Sequence, residues 1–278
     1  MKRPLRLAWL GLAPFALFAV AFEILPMLVL ARSSFIADGR LSLSNFGRAL
    51  SPQMTAAFGN SLFLSFCTAF AGITLGTAVA YAIITSPRPS VRHALTALAD
   101  VTANFGGAPL AFAFIITLGS TGVVTLLLRS IGIQLYPSFR IYSISGLIIS
   151  YTYFQMPLAI LLIIPSLLGL QKEWREAATS LGAAPRQYWT RVALPILAPS
   201  LLSSFFLLFA NAFGAYATAW TLTGSGVNLV TVQIAAAIRG EVQLDPALAD
   251  ALAMLSLGIM VLSVIAYRVL AKRSGIRT

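Results

Sequence analysis

The sequence has little with which to do chemistry. Its 278 residues include one cysteine, Cys67, and one histidine, His93. No disulfide framework and no Cys/His metal cluster can be built from that pair. Cys67 lies inside an apolar block and reads as a small packing residue. Lysine occurs only as Lys2, Lys172 and Lys272, and none of these follows G-x-x-x-x-G or precedes Ser or Thr. The phosphate-cradling loop of ATP-binding chains is therefore absent. No nucleophile–base set or catalytic carboxylate pair can be recognised, and His93 sits in a basic loop without a matching partner. Catalytic and metal-ligating residues are thus expected to be none, and the chain does not read as an enzyme.

What fills the sequence is apolar side chain. Hydrophobic residues make up 58% and charged residues only 10%, too apolar for a soluble domain of this size. A bilayer core of roughly 30 Å takes about 20 helical residues to cross. Six blocks meet that length: 7–31, 61–85, 94–119, 143–170, 198–224 and 248–271. The expectation is an all-α, multi-pass membrane protein with six transmembrane helices. The first block follows the basic Lys2, Arg3 and Arg6, as a signal peptide would. It is too long for one, and no A-x-A site closes it, so it reads as an uncleaved span.

The formal charge of +11 does not point to nucleic acid, because the basic residues are scattered beside the apolar blocks. They set orientation instead. Of the 19 Lys and Arg, 13 fall on the N-terminus, the loops after the second and fourth blocks, and the C-terminal end. The positive-inside rule then places both termini in the cytoplasm.

Within the blocks, Gly72 and Gly76 stand four apart, a spacing that lets helices approach closely. Pro157 and Pro165 are expected to kink the fourth helix. The third block is irregular. Asp100 and Asn104 are followed by Gly106, Gly107 and Pro109, which should break the helix near mid-span. Residues 120–142 read as a short interfacial helix and loop, and 32–59 and 227–247 as loops, the first containing Asp38-Gly39.

One polar interruption, residues 171–197, carries a helix pattern of its own. Trp174, Ala177, Ala178 and Leu181 recur at i, i+3, i+4 and i+7, one face of a helix. Gly182 suits the positive-φ residue past a helix end, and Pro185 suits the first turn of the next. Tyr188, Trp189 and Val192 would share a face of that second helix, and Pro195 would end it. Trp174, Tyr188 and Trp189 read best as anchors at the membrane interface.

Glu176-Ala177-Ala178, then Gly182, then Val192-x-Leu194-Pro195 resembles the EAA loop of binding-protein-dependent ABC importer permeases, EAA-x3-G-x9-I-x-LP. Val192 for Ile is the only departure, and it keeps a β-branched apolar residue. The resemblance covers roughly residues 55–270 and implies a type I ABC importer permease fold in the bacterial cytoplasmic (inner) membrane. It implies three kinds of partner besides the lipid bilayer: a second homologous permease, two cytoplasmic ATPase subunits and an extracytoplasmic solute-binding protein. ATP and Mg would be bound by the ATPase, and no cofactor by this chain. Residues 1–59 would be a peripheral first helix with its outer loop, 60–271 the permease core, and 272–278 a basic tail. Glu176, Ala177, Ala178, Gly182, Leu194 and Pro195 would form the ATPase-coupling surface. A weaker likeness over 105–118 and 151–157 is to spermidine/putrescine-type permeases, which implies a small polar solute such as a polyamine-like or related amino compound.

Polar residues inside membrane segments are candidates for function but can also pair helices. Asn104, Asn211 and Tyr216 lie deepest and are the candidate substrate path. Glu23 and Asp100 have structural readings as good as functional ones, and Asp250 reads as a cap for the sixth helix. The rival function is an ion-coupled secondary transporter working without an ATPase. It would need a relay of buried ionisable groups, and Glu23 and Asp100 are too few and badly placed for one.

Overall fold

The computed structural model describes residues 5–37, 39–241 and 244–273. Lys2, Arg3, Asp38 and Arg277 lie outside the described residues. Among the described residues, six helical segments are long and apolar enough to cross a membrane: Leu12–Ser34, Pro52–Thr85, Gly107–Ser130, Ile144–Leu168, Pro185–Gly214 and Pro246–Ala266. They are called spans one to six below. The chain divides into two compact units. One reaches to Ala57 and takes in Gln233–Gly258; the other comprises Phe58–Val232 and the chain from Ile259.

In the first unit, the most apolar stretch of span one has no buried residue. Phe15, Leu17 and Phe22 stand 72%, 73% and 69% exposed, which suits a helix surrounded by lipid. Ser33 near its end donates to the Asp250 carboxylate on span six. Asp250 is therefore a helix-pairing residue, and the expected cap is a different acid: Asp245 accepts from the Leu248 N–H at 3.1 Å and pairs with Arg48. Beyond span one, Ile36–Ala37 and Arg40–Leu41 form a two-residue antiparallel pair. Asn45 is buried because its side-chain amide donates to the Ser34 and Ile36 carbonyls.

The second unit is built on span four, which runs unbroken through Pro157 and Pro165. Its buried residues join two apolar clusters. Toward the Ile144 end, Leu147, Tyr151 and Phe154 pack with Leu64, Leu110, Ala219 and Leu222. Toward the Leu168 end, Ile160, Ile163 and Leu167 pack with Ile73, Ala99, Leu197 and Leu208. Span two meets span four at Gly72 and Gly76. A Cβ on Gly72 would lie 2.9 Å from the Gln155 Cβ, and one on Gly76 would lie 2.5 Å from the Ala159 Cβ. The Gly72/Gly76 spacing thus marks a true close approach.

Several boundaries differ from expectation. Span two begins at Pro52, and its 34 residues reach about 51 Å at 1.5 Å per residue. The third block is broken where expected, into Pro89–Ala103 and Gly107–Leu118, and the short helix expected within 120–142 is Val123–Ser130, which completes the crossing stretch Gly107–Ser130. The crossing stretch is therefore shifted toward the C-terminus. The loop before span six contains an unforeseen helix, Val230–Arg239.

Span five departs most. Pro195 does not end the preceding helix; the helix runs through it from Pro185 to Gly214. A proline lacks its N–H and clashes with the carbonyl four residues back. Here the chain widens to one π turn over Trp189–Ala193, and the Leu194 N–H bonds five residues back to Trp189. The same device precedes the other Leu-Pro in a span: Val20–Ile24 forms a π turn, with the Leu25 N–H on the Val20 carbonyl before Pro26.

The close approach gives a first test. Gly76→Val should overpack the contact and cost about 1–3 kcal/mol. Gly59→Ala, whose Cβ meets nothing within 4 Å, should stabilise by roughly 0.5–1 kcal/mol. Thermal unfolding of both in detergent checks the pair; an unchanged melting temperature for Gly76→Val would refute the contact.

Candidate coupling surface and translocation path

The 171–197 stretch folds as a helix over Lys172–Ser180, a turn, and a second helix from Pro185. The first helix is closed by a Schellman arrangement, in which the Ala183 N–H reaches the Ala178 carbonyl and the Gly182 N–H reaches Thr179. That geometry puts Gly182 at φ +76, a conformation costing roughly 1–2 kcal/mol for other L-residues. No atom lies within 4 Å of a Cβ placed there, so the demand for glycine is conformational and not steric. Pro185 takes the first turn of the next helix. The Gln187 side chain accepts from the Ala184 N–H at 2.9 Å, which is half of a capping box.

No residue of the Lys172–Ser180 helix is buried. Trp174 and Ala178 are half-buried, whereas Glu176, Ala177, Gly182, Leu194 and Pro195 are exposed. The Trp174–Leu181 face is therefore divided: two of its members turn inward, and Ala177 and Leu181 face out. Leu181 is 88% exposed. Lys172 and Glu176 pair at 3.0 Å on the outer face, with both side chains exposed. The hydrogen bond that Lys172 donates to the Glu176 carboxylate, and then the charge of that carboxylate, holds the Lys172 ammonium above its usual range. An exposed i,i+4 pair contributes little to stability, so Glu176 can exchange this partner cheaply. Of the expected interfacial anchors, Tyr188 is instead buried, and Trp189 packs edge-on against Tyr81 at 5.0 Å.

Two further interruptions of the second unit lie side by side. One is Asn104–Gly106, before the Gly107–Leu118 helix; the other is Ala215–Tyr216, between span five and the Ala217–Thr223 helix. Gly107 has φ +69, and its carbonyl accepts from Thr218 at 3.3 Å. The Ala215 carbonyl accepts from the buried Tyr151 hydroxyl at 2.7 Å. Asn104 is exposed and bonds back to the Asp100 carbonyl at 2.9 Å. Asn211, in the last turn of span five, is exposed, and Tyr216 stacks on Trp220 at 6.0 Å. The contact between Gly107 and Thr218 joins the break that contains Asn104 to the helix that Tyr216 precedes.

Residues outside the expected set form a second polar feature. Ser166 of span four and Ser200, Ser203 and Ser204 of span five line a cavity of about 290 Å³, closed by apolar side chains that include Val264. Ser204 is 6% exposed. Its signal was legible as Ser200, Ser203 and Ser204 at i, i+3 and i+4 within an apolar run, a one-sided polar stripe.

Comparisons with known proteins agree with this architecture. Residues 72–275 match the family model of the binding-protein-dependent transport system inner membrane component. A putative 2-aminoethylphosphonate transport system permease protein of Salmonella choleraesuis is 28% identical, over 98% of this chain and 94% of its own length. A probable sulfate transport system permease protein of Helicosporidium is 24% identical over 75% of this chain and 74% of its own. A thiamine transport system permease protein of Brucella suis is 27% identical over 56% of this chain and 28% of its own. Among solved structures, a bacterial ABC transporter involved in import of the acidic polysaccharide alginate superposes with a TM-score of 0.76 at 18% identity, over 97% of this chain and 96% of that one. The MetNI methionine ABC transporter superposes with 0.57 at 17% identity, over 81% and 99%. The chain belongs to the binding-protein-dependent inner membrane component family: it is a multi-pass permease subunit of an ABC importer, with no catalytic role of its own.

Proposed function

We propose that a cytoplasmic ATPase drives this permease through the Lys172–Ser180 helix, and that the solute it passes is a small amino compound handed over by an extracytoplasmic binding protein. The observation that carries the coupling reading is an exposed helix ending in Gly182 at φ +76. Its outward Ala177 and Leu181 offer a small, apolar docking face with Glu176 at the rim. Docking there needs both termini in the cytoplasm, as the distribution of Lys and Arg favours. ATP and Mg belong to the ATPase in this scheme, and a second permease subunit completes the path. Movement of the docked helix would rock the bundle between inward- and outward-open states.

For the solute, the full-length likeness to a 2-aminoethylphosphonate permease supports the amino-compound half of the expectation. Polyamines fit less well. Spans two, four and five contain no Asp or Glu to hold a polycation. A zwitterion with a strongly accepting head group suits the hydroxyls of Ser166, Ser200 and Ser204 better, since a hydroxyl can donate a hydrogen bond; Ser203 already donates to the Pro199 carbonyl at 2.8 Å.

Leu181→Cys in a Cys67→Ala background tests docking and orientation together. A membrane-impermeant maleimide should label it in inside-out vesicles and not in intact cells, and addition of the cognate ATPase should protect it. Labelling from outside, or no protection, would overturn the coupling role. For the solute, proteoliposomes holding the complete transporter should accumulate 2-aminoethylphosphonate on ATP addition, with no competition from excess spermidine. Uptake of spermidine in its place would return the polyamine reading.

A further inference from the structure

A second cavity, of about 310 Å³, lies between the end of span two, the start of the Pro89–Ala103 helix and the end of span four. Its lining has two chemistries. Ile83, Ile84 and Ile164 form an apolar side, and Arg92, His93 and Thr96 form a polar side next to Pro89. At a water's share of about 30 Å³, the space is far larger than a single hydration site.

Its depth follows from the helix ends. Ile83 and Ile84 are in the last turn of span two, which stops at Thr85. Ile164 is one turn from Leu168, where span four stops. Arg92, His93 and Thr96 are in the first two turns of a helix that starts at Pro89. Three helix ends at one level put the cavity where hydrocarbon gives way to head groups.

The basic side chains there are unspent. Among the described residues, ion pairs join Arg48 to Asp245, Lys172 to Glu176 and Arg239 to Glu241, and none involves Arg88, Arg92 or His93. The Thr96 hydroxyl already donates to the Arg92 carbonyl at 2.9 Å, so Arg92 and His93 are left to meet a ligand. No acid lines the cavity; Asp100 is two turns further along the helix and exposed. A half-buried guanidinium beside isoleucines at head-group level matches one kind of molecule, an anion with a hydrocarbon tail. Basic pockets between membrane helices take phospholipid head groups on this principle.

We propose that this cavity binds an anionic phospholipid, with Arg92 and His93 on its phosphate and the acyl chain along Ile83, Ile84 and Ile164. Arg88, on the turn between the two helices, adds to the local positive field. The site is separate from both the coupling helix and the serine-lined cavity, and it does not depend on the solute proposed above.

The test uses the purified full chain in phosphatidylcholine–detergent micelles, with retained phosphatidylglycerol measured by native mass spectrometry. Wild type and Arg92→Lys should retain phosphatidylglycerol, Arg92→Gln should retain it several-fold less, and Arg129→Gln, an exposed arginine elsewhere, should match wild type. Equal melting temperatures exclude misfolding as the cause. Inorganic phosphate should not displace the lipid; displacement at low concentration would mean a free-anion site and would overturn the proposal. Equal retention by Arg92→Gln, or equal loss in Arg129→Gln, would also overturn it. So would an Arg92→Gln chain that keeps the lipid and loses the cognate ATPase, because the cavity would then be a protein contact.

Discussion

Backbone polar groups inside a bilayer must find partners within the protein, because lipid offers none. That constraint explains most of what is unusual in this chain. At four interruptions the structure supplies a replacement. The Gly107 carbonyl receives Thr218, and the Ala215 carbonyl receives Tyr151. Ahead of Pro26 and Pro195, the chain widens by one residue, so that the leucine N–H still bonds, five residues back. Interruptions are placed where a neighbour can serve them. Two within the second unit are adjacent, and Thr218, just past one, serves the Gly107 carbonyl at the other.

Span four is the element that makes these repairs possible. Tyr151 and Gln155 are both fully buried, and both direct a donor at span five: the Tyr151 hydroxyl to Ala215 and the Gln155 amide to Leu208 at 2.6 Å. Gly72 and Gly76 let span two come close on another side. One apolar helix with two polar donors thus fixes its neighbours by shape and by hydrogen bond. In lipid, where apolar burial separates helices little from their surroundings, such close packing and internal bonding decide association.

The legible parts of the sequence were those governed by local rules. Six apolar runs give six spans, Gly182 gives its left-handed turn, Pro185 opens a helix, and Gly106-Gly107 breaks one. The errors came where a local rule was overridden by neighbours. Pro195 should stop a helix, yet a π turn carries the helix past it, and nothing within the residues Val192–Pro195 announces that. Asp250 looks like a cap until Ser33, over two hundred positions away in sequence, claims it. Tyr188 looks like an interface anchor because amphipathic rings favour that place, but its ring is buried. The serine-lined cavity needed spans four and five side by side before its stripe acquired meaning.

The continuity of span five bears directly on how a permease of this kind can be driven. A helix that ended at Pro195 would leave a joint between the coupling stretch and the membrane, where motion could be absorbed. Instead the helix is continuous from Pro185 to Gly214, 30 residues, about 45 Å at 1.5 Å per residue. At one end it is joined through Gly182 and Ala183 to the exposed Lys172–Ser180 helix. In its middle, Ser200, Ser203 and Ser204 face the hydroxyl-lined cavity. At the far end, it stops at the break that Tyr151 and Thr218 help to hold. On the proposed coupling role, a displacement of the docked helix therefore enters one continuous rod, bounded by the Gly182 turn and the Ala215 break. The Gly182 turn is held only by its own local hydrogen bonds to Ala178 and Thr179, whereas the break is tied to span four through Tyr151. Rotation about the first and resistance at the second would turn the rod within the bundle and change what its serines face.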